Sequence, residues 1–168
     1  MRESIGATWV FSIVIVFIMM FTAYLAISVN YARAFKIKNA IITMIENNEG
    51  VNEHDMTMLS NLDDYLYSNA YDAYGVCEDI TDQGEEDWQY IEANIYPNAD
   101  GTKNGVCIYK KPAQSSNTNG FCDKSYYRVI TFFKVDFPIL HNIFTFSVKG
   151  NSAPIYDLAD EANRNCVH

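Results

Sequence analysis

The sequence predicts an α+β protein in which a long N-terminal helix is followed by a second helix and a small antiparallel β-sheet. Three observations predict it. An apolar segment without a charged residue runs from Thr8 to Val29, a helical apolar repeat continues to about residue 50, and apolar residues alternate through the C-terminal third. Helices followed by strands, rather than alternating with them, are typical of α+β folds.

The first segment is long enough to cross a membrane. Its length of about 22 residues corresponds to roughly 33 Å of helix, against a bilayer core of about 30 Å. We predict a short cytoplasmic tail at residues 1–7 and a transmembrane helix at residues 8–29. The alternative is a cleaved signal peptide, but the apolar run is too long for a typical signal core and no small-residue cleavage pattern ends it. We therefore expect a retained anchor.

Residues 30–50, which we call the stalk, continue the helix without glycine or proline until Gly50. The stalk is amphipathic, and its apolar stripe is made of Ala34, Ile37, Ile41 and Ile45. Such a stripe must be buried. We expect it to pack against the rest of the chain and also to form a lateral assembly surface between subunits. Gly50 is expected to be the left-handed residue that ends the helix.

Residues 51–168, which we call the head, begin with a second helix. Its apolar residues recur at helical spacing at Met56, Leu59, Leu62, Leu66 and Ala70. The following segment is mixed, and residues around Trp88 fit a strand or a short helix. Strands are then predicted at residues 105–111, 121–137 and 143–149, the last two joined in a long antiparallel hairpin that bends at Phe137-Pro138. A final strand and helical turn are predicted within residues 153–165.

The head is strongly acidic. From residue 51 onward it has 8 Lys and Arg against 18 Asp and Glu, and the whole chain has a formal net charge of −9. Binding a phosphate backbone requires concentrated positive charge, so this composition argues against nucleic acid as a partner.

All four cysteines lie in the head, and an even number is typical of disulfides in an oxidising compartment. Three connectivities are possible. We favour Cys107–Cys122, which would close a local hairpin, and Cys77–Cys166, which would join the start of the head to its end. Free thiols are the alternative. A metal site is disfavoured, because no CxxC pair accompanies the scattered histidines.

Two signals conflict on membrane orientation. Arg33, Lys36 and Lys38 follow the span, which by the positive-inside rule would place the head in the cytoplasm. The cysteines and the acidic, Asn-rich head favour the outside. We choose a cytoplasmic N-terminus and an extracytoplasmic head, so that the three basic residues contact lipid headgroups.

No catalytic signature is found. The sequence has no GxSxG, SxxK, HExxH or glycine-rich phosphate loop. Asp63-Asp64 is interpreted as a solvated helix face rather than an acid–base pair, and His54 and His141 as exposed residues, while His168 lies apart from both in the sequence. We predict a protein that is not an enzyme and that needs no cofactor or metal.

The two ends of the chain together resemble the TadE-like pseudopilins of the tight-adherence branch of type IV pilus and secretion systems. The resemblance lies in Gly6-Ala7-Thr8-Trp9-Val10-Phe11 and in VITFFKVDFPILHNIFTFSVKG at residues 129–150, and it covers about half of the chain. It implies a pilin-like fold, lateral partners that are other pilin-like subunits or pilus platform proteins, homo- or hetero-oligomers, and processing after Gly6.

The resemblance has one departure. Pilin-like proteins usually carry a Glu shortly after the processing glycine, and Val10 stands in its place here. That carboxylate would pair with the N-terminal amine of a neighbouring subunit in a low dielectric. Its absence favours a minor or accessory subunit over a fibre-forming one. The alternative function is a stand-alone, membrane-anchored binding or sensor module on the cell surface, with an ectoenzyme as a third possibility.

Overall fold

A computed structural model of the chain describes residues 2–51, 56–77, 88–91, 96–112, 124–137 and 142–156, with backbone only at residues 2–7, 56, 112, 136–137 and 142–143. Within these residues, two helices precede five strands. Their bounds are α1 (Arg2–Asn47), α2 (Met56–Ser68), β1 (Gln89–Tyr90), β2 (Val106–Pro112), β3 (Lys124–Phe137), β4 (Asn142–Asn151) and β5 (Ile155–Tyr156). The predicted α+β layout is confirmed at this level.

The strands form one antiparallel sheet in the order β1-β2-β3-β4, and β5 pairs with the beginning of β3. The predicted C-terminal hairpin is confirmed, with Arg128 opposite Asn151 at one end and Phe137 opposite Asn142 at the other. Strand β2 pairs with β3 from Val106↔Thr131 to Pro112↔Ser125. Beyond Thr131, therefore, β3 continues without β2 beside it.

The core lies between the stalk part of α1, α2 and one face of the sheet. It contains Ile37, Ile41 and Ile45 from α1, and Met58, Leu62 and Leu66 from α2. The sheet contributes alternate residues of β3, as its period of two predicts. Fully burying one such aliphatic side chain is worth about 1.5–3 kcal/mol. The stalk is thus part of the head's own core.

The second face of β3 is also partly buried. Ile130 and Phe132 on that face are also buried. The ring of Phe132 lies against Gly75, where any Cβ would overlap it. Gly75 does not belong to a regular strand but forms an isolated antiparallel bridge with Asn104.

Both helices end in the same way. At the end of α1, the N–H of Gly50 donates to the carbonyl of Ile45 (3.1 Å), and Glu49 has the left-handed φ of 55°. At the end of α2, the N–H of Tyr71 donates to the carbonyl of Leu66 (3.1 Å), and Ala70 has φ 48°. These are Schellman motifs. The left-handed cap of α1 is Glu49 rather than the expected Gly50, which follows it with φ 126°.

Candidate functional site

The N-terminal part of α1 carries the largest exposed apolar surface among the described residues. It begins at Trp9 and ends at Phe35, and its most apolar window of 18 residues has no buried residue. Its large exposed side chains are Trp9, Val10, Phe11, Ile13, Val14, Val16, Phe17, Ile18, Met19, Met20, Phe21, Tyr24, Leu25, Ile27, Val29, Tyr31 and Phe35. By length and composition this helix is a candidate membrane span.

The stalk stripe, in contrast to the exposed N-terminal part of α1, is buried. Ala34, Ile37, Ile41 and Ile45 are all buried against the chain's own head. Its predicted role as a lateral assembly surface is therefore wrong, because the sheet and α2 already cover these side chains. Beyond Phe35, the face of the stalk that remains exposed includes Lys36, Asn39 and Thr43 and is polar.

Hydrogen bonds fix α1 against the sheet along its length. The Thr131 hydroxyl of β3 donates to the carbonyl of Ala34 at 3.2 Å. Higher on the helix, the N–H of Ala153 donates to Glu46 Oε1 at 3.1 Å. Since both bonds cross between elements far apart in sequence, they orient the head on the helix axis.

A cavity of about 210 Å³ opens where α1, the end of α2 and β3 meet. Asn30, Arg33 and Asn69 line it together with Asp72 and Lys134, which form an ion pair at 2.9 Å. Because Asp72 is exposed, this pair contributes little stability. The cavity offers amide and guanidinium donors close to the end of the candidate span.

Tyr71 and Tyr74 form an aromatic cluster with Tyr96. The rings of Tyr74 and Tyr96 stack with centroids 6.0 Å apart, and Tyr71 packs on Tyr96 at 6.4 Å. Burial raises the pKa of Tyr71 well above its ordinary value, even though a hydrogen bond from the N–H of Phe132 opposes that shift. Tyr71 is a buried structural group, while Tyr67 on α2 is exposed.

Asp63 has a structural partner that the sequence did not indicate. Its Oδ1 accepts a hydrogen bond from the N–H of Tyr96 at 2.9 Å. Burial raises the pKa of Asp63, the bond from Tyr96 lowers it, and the neighbouring Asp64 raises it further, with a net upward shift. The interpretation of Asp63 as fully solvated is wrong, since it positions the loop that carries Tyr96.

The disulfide differs from the favoured pairing. Cys77 is bonded to Cys107, with Cα atoms 5.6 Å apart, across 30 residues of sequence. The pairings Cys107–Cys122 and Cys77–Cys166 are therefore wrong. Cys122 and Cys166 lie outside the described residues. The bond ties the segment after α2 to β2.

A shallow cleft of about 430 Å³ lies on the sheet face away from α1. Tyr74, Lys103 and Lys149 line it together with Thr145 and Ser147. Hydroxyls, ammonium groups and an aromatic ring suit binding of a polar, anionic ligand. The lining contains no nucleophile paired with a base.

Other predicted features fall partly outside the described residues. Within the part that the structure describes, no group of three or more His, Cys, Asp or Glu is placed to hold a metal ion. His54, His141 and His168, the acidic segment at residues 78–87 and the predicted hairpin bend at residues 138–141 lie outside it. Gly6 lies within α1 as backbone, so the helix is continuous through the processing candidate.

Comparison of the chain with protein-family models, with curated proteins and with solved structures finds no match.

Proposed function

We propose that this chain is a membrane-anchored, non-enzymatic pseudopilin-like subunit of a type IV pilus or tight-adherence-like assembly. The observation that carries the proposal is the division of one unbroken helix into two parts. Helix α1 runs from Arg2 to Asn47, exposed and apolar in its first part and buried by the head in its second. A subunit built this way holds a folded head rigidly on a helix that lipid or neighbouring helices must cover.

The lateral contacts are assigned to the first part of α1, since the stalk stripe is already buried. Candidate residues on the exposed apolar surface include Phe17 and Phe21. Such side chains suit both lipid and the apolar helices of neighbouring subunits, because helices in membranes associate through close packing rather than a hydrophobic driving force.

The orientation with the head outside the cytoplasm is supported by the disulfide. A bond such as Cys77–Cys107 persists in oxidising compartments and is rare in the cytosol. The basic residues that follow the span are few, and Lys38 is buried against the head rather than displayed on a loop. We therefore place the N-terminus in the cytoplasm and the head on the outer side of the cell membrane.

A minor or accessory role follows from Val10. Its exposed side chain lies early in α1, and it cannot form the carboxylate–amine pair that brings an incoming pilin into register. A subunit without that pair is suited to initiate, cap or decorate an assembly whose other subunits supply the carboxylate.

The test is photo-crosslinking in native membranes with benzoylphenylalanine at Phe21. We expect adducts to a second copy or to another protein with an N-terminal apolar helix. The matched control is the same amino acid at Tyr67, which is exposed on α2 in the head and should give none of these adducts. Adducts to lipid alone at Phe21, with the chain remaining monomeric, would contradict the assembly role.

The cleft beside Lys103 and Lys149 favours a second candidate, a stand-alone binding module. It predicts that the membrane part is only a tether. A soluble fragment of residues 30–168 would then bind its ligand, and replacement of Lys103 by Glu would abolish that binding. Two variants separate the candidates: a chain that lacks the span, and a full chain that carries Lys103→Glu. If the first loses all function and the second keeps it, the assembly role is favoured.

A further inference from the structure

An aromatic patch continues the apolar surface of the candidate span onto the head. We define the membrane-proximal patch as Tyr31 and Phe35 of α1 with Phe144 and Phe146 of β4, all exposed. Phe133, beneath them, connects the two elements. Its ring lies 5.9 Å from that of Tyr31 and 5.3 Å from that of Phe146.

The β3–β4 hairpin runs down α1 toward the span. Thr131 contacts Ala34, and Phe133, two residues later, contacts Tyr31, so β3 descends the helix as its numbering increases. Val135, opposite Phe144, lies two residues further along β3 in the same direction, roughly 7 Å along the strand. The described hairpin is directed toward the bilayer rather than away from it.

The burial of α1 agrees with this direction. Asn30 is half-buried and lines the cavity between α1 and β3, four residues before the buried Ala34 on the same helix face. The face of α1 that the head covers thus begins near the end of the apolar run at Val29.

Tyr31 and Phe35 lie about 3 Å and 9 Å above Val29 along the helix, within or at the edge of the headgroup layer. Phe146, joined to Tyr31 through Phe133, is at a similar level. Aromatic rings prefer this interfacial depth.

The charges near the patch complement a lipid surface. Between Asn30 and Ala40 the charged residues of α1 are Arg33, Lys36 and Lys38, all basic, in a chain whose net charge is −9. The Lys38 ammonium lies 4.1 Å from the centroid of the Phe35 ring, and its stem crosses Gly150 of β4. Lys38 is buried against the head, whereas Arg33 and Lys36 are exposed. Exposed basic groups at this depth attract anionic headgroups.

We propose that the membrane-proximal patch is a second membrane contact, by which the β4 edge of the head inserts into the outer bilayer interface beside the span. The inference rests on the membrane anchoring proposed above. The occupant is lipid rather than another subunit, because the patch continues the lipid-facing surface without a polar gap and is bordered by basic residues. The head is thereby fixed against the bilayer instead of standing free of it.

The experiment uses the full chain in nanodiscs of phosphatidylcholine and phosphatidylglycerol, with benzoylphenylalanine at one position at a time. Phe146, which is 47% exposed, is compared with Tyr156 of β5, which is 43% exposed at the opposite end of the sheet. We expect several-fold more lipid adduct at Phe146 than at Tyr156. Benzoylphenylalanine at Phe17, within the span, tests by its own lipid adducts whether α1 is embedded in the bilayer.

The outcomes are distinguishable. Lipid adducts at Phe17, with Phe146 no better than Tyr156, would overturn the second contact and leave the anchor intact. Adducts from Phe146 to a second copy would also overturn it and assign the patch to assembly. Absence of lipid adducts at Phe17 would overturn the anchor and the patch together.

A conservative substitution gives an independent measurement. Phe146→Trp keeps an aromatic ring, and spin-labelled phospholipid should quench its added fluorescence over the native Trp9 and Trp88 background. Tyr156→Trp should show no such added quenching. Equal quenching of the two variants would contradict the proposal.

Discussion

The hydroxyl of Tyr71 lies 2.7 Å from both the backbone nitrogen and the backbone oxygen of Phe132. It accepts a hydrogen bond from that N–H, and its proton can be donated to the carbonyl of Phe132 or, at 3.1 Å, to that of Gly105. The β2–β3 ladder ends one pair earlier, at Val106↔Thr131. The next pair would have been Gly105 and Phe132. The phenol therefore forms hydrogen bonds with backbone groups of these two residues in place of a further strand pair.

Replacing Tyr71 by Phe should lower the free energy of unfolding by about 1–3 kcal/mol, because the buried N–H of Phe132 loses its acceptor. Thermal or urea unfolding of the detergent-solubilised chain would measure the change. Tyr67→Phe, at an exposed position, is the control and should change stability little. An unfolding free energy unaffected by Tyr71→Phe would show that water replaces the phenol without cost.

The same tyrosine should make the fold sensitive to alkali. In the folded chain the pKa of Tyr71 is raised by burial, whereas in the unfolded chain it stays near 10. The stabilising difference is fully present below about pH 10 and is lost as the pH rises toward the folded pKa, by up to about 1.4 kcal/mol per pH unit. Unfolding measured between neutral and strongly alkaline pH should therefore show a steeper loss for the native chain than for Tyr71→Phe. Parallel curves would contradict this.

The helices and the long strands could be predicted because their signals are local. Uncharged length predicts α1, and strict alternation predicts β3, whose face of Tyr127, Val129 and Thr131 is buried as expected. The hairpin follows from two alternating segments around Pro138. Local periodicity also placed the stalk stripe in the core, but it could not show that the head would cover the whole of it.

The features that could not be predicted depend on contacts between distant segments. Asp63 and Tyr96 are 33 residues apart, and a helix pattern cannot reveal that a loop N–H will reach a particular carboxylate. Cys77 and Cys107 are 30 residues apart, and four cysteines allow three pairings that spacing alone does not distinguish. The left-handed Glu49 and Ala70 were missed because propensity favours glycine there.

The disulfide should be a substantial part of the head's stability. A loop closed across 30 residues is expected to contribute roughly 3–4 kcal/mol by restricting the unfolded chain. The double variant Cys77→Ala/Cys107→Ala should therefore unfold at clearly lower temperature or denaturant concentration.

Peptide mapping without reduction should recover Cys77 joined to Cys107. By elimination, the remaining cysteines, Cys122 and Cys166, should be joined to each other. A peptide joining Cys107 to Cys122 would contradict both assignments.

The cap of α2 offers a stabilising substitution. Ala70 adopts φ 48°, which costs an L-residue about 1–2 kcal/mol and glycine almost nothing. After the greater unfolded-state entropy of glycine is subtracted, Ala70→Gly should stabilise the chain by about 0.5–1 kcal/mol. The same change at Ala40, inside α1, should instead destabilise by about 1 kcal/mol. Chemical denaturation of the two variants measures both signs, and a loss of stability in Ala70→Gly would contradict the strained-cap interpretation.

The folding unit should begin at about residue 30 rather than at residue 51. Fragments beginning at residue 30 and at residue 51 differ by the stalk, which contributes the buried Ile37, Ile41 and Ile45. Losing these three side chains removes about 4.5–9 kcal/mol of apolar burial, comparable to the whole stability of a small domain. Residues 30–168 should therefore unfold cooperatively in thermal melts followed by circular dichroism, whereas residues 51–168 should show no cooperative transition. Ile41→Asp within the longer fragment should reproduce the defect of the shorter one, because it places an unpaired charge in the same core. A cooperative transition in residues 51–168 would mean that the head folds without the helix that carries it.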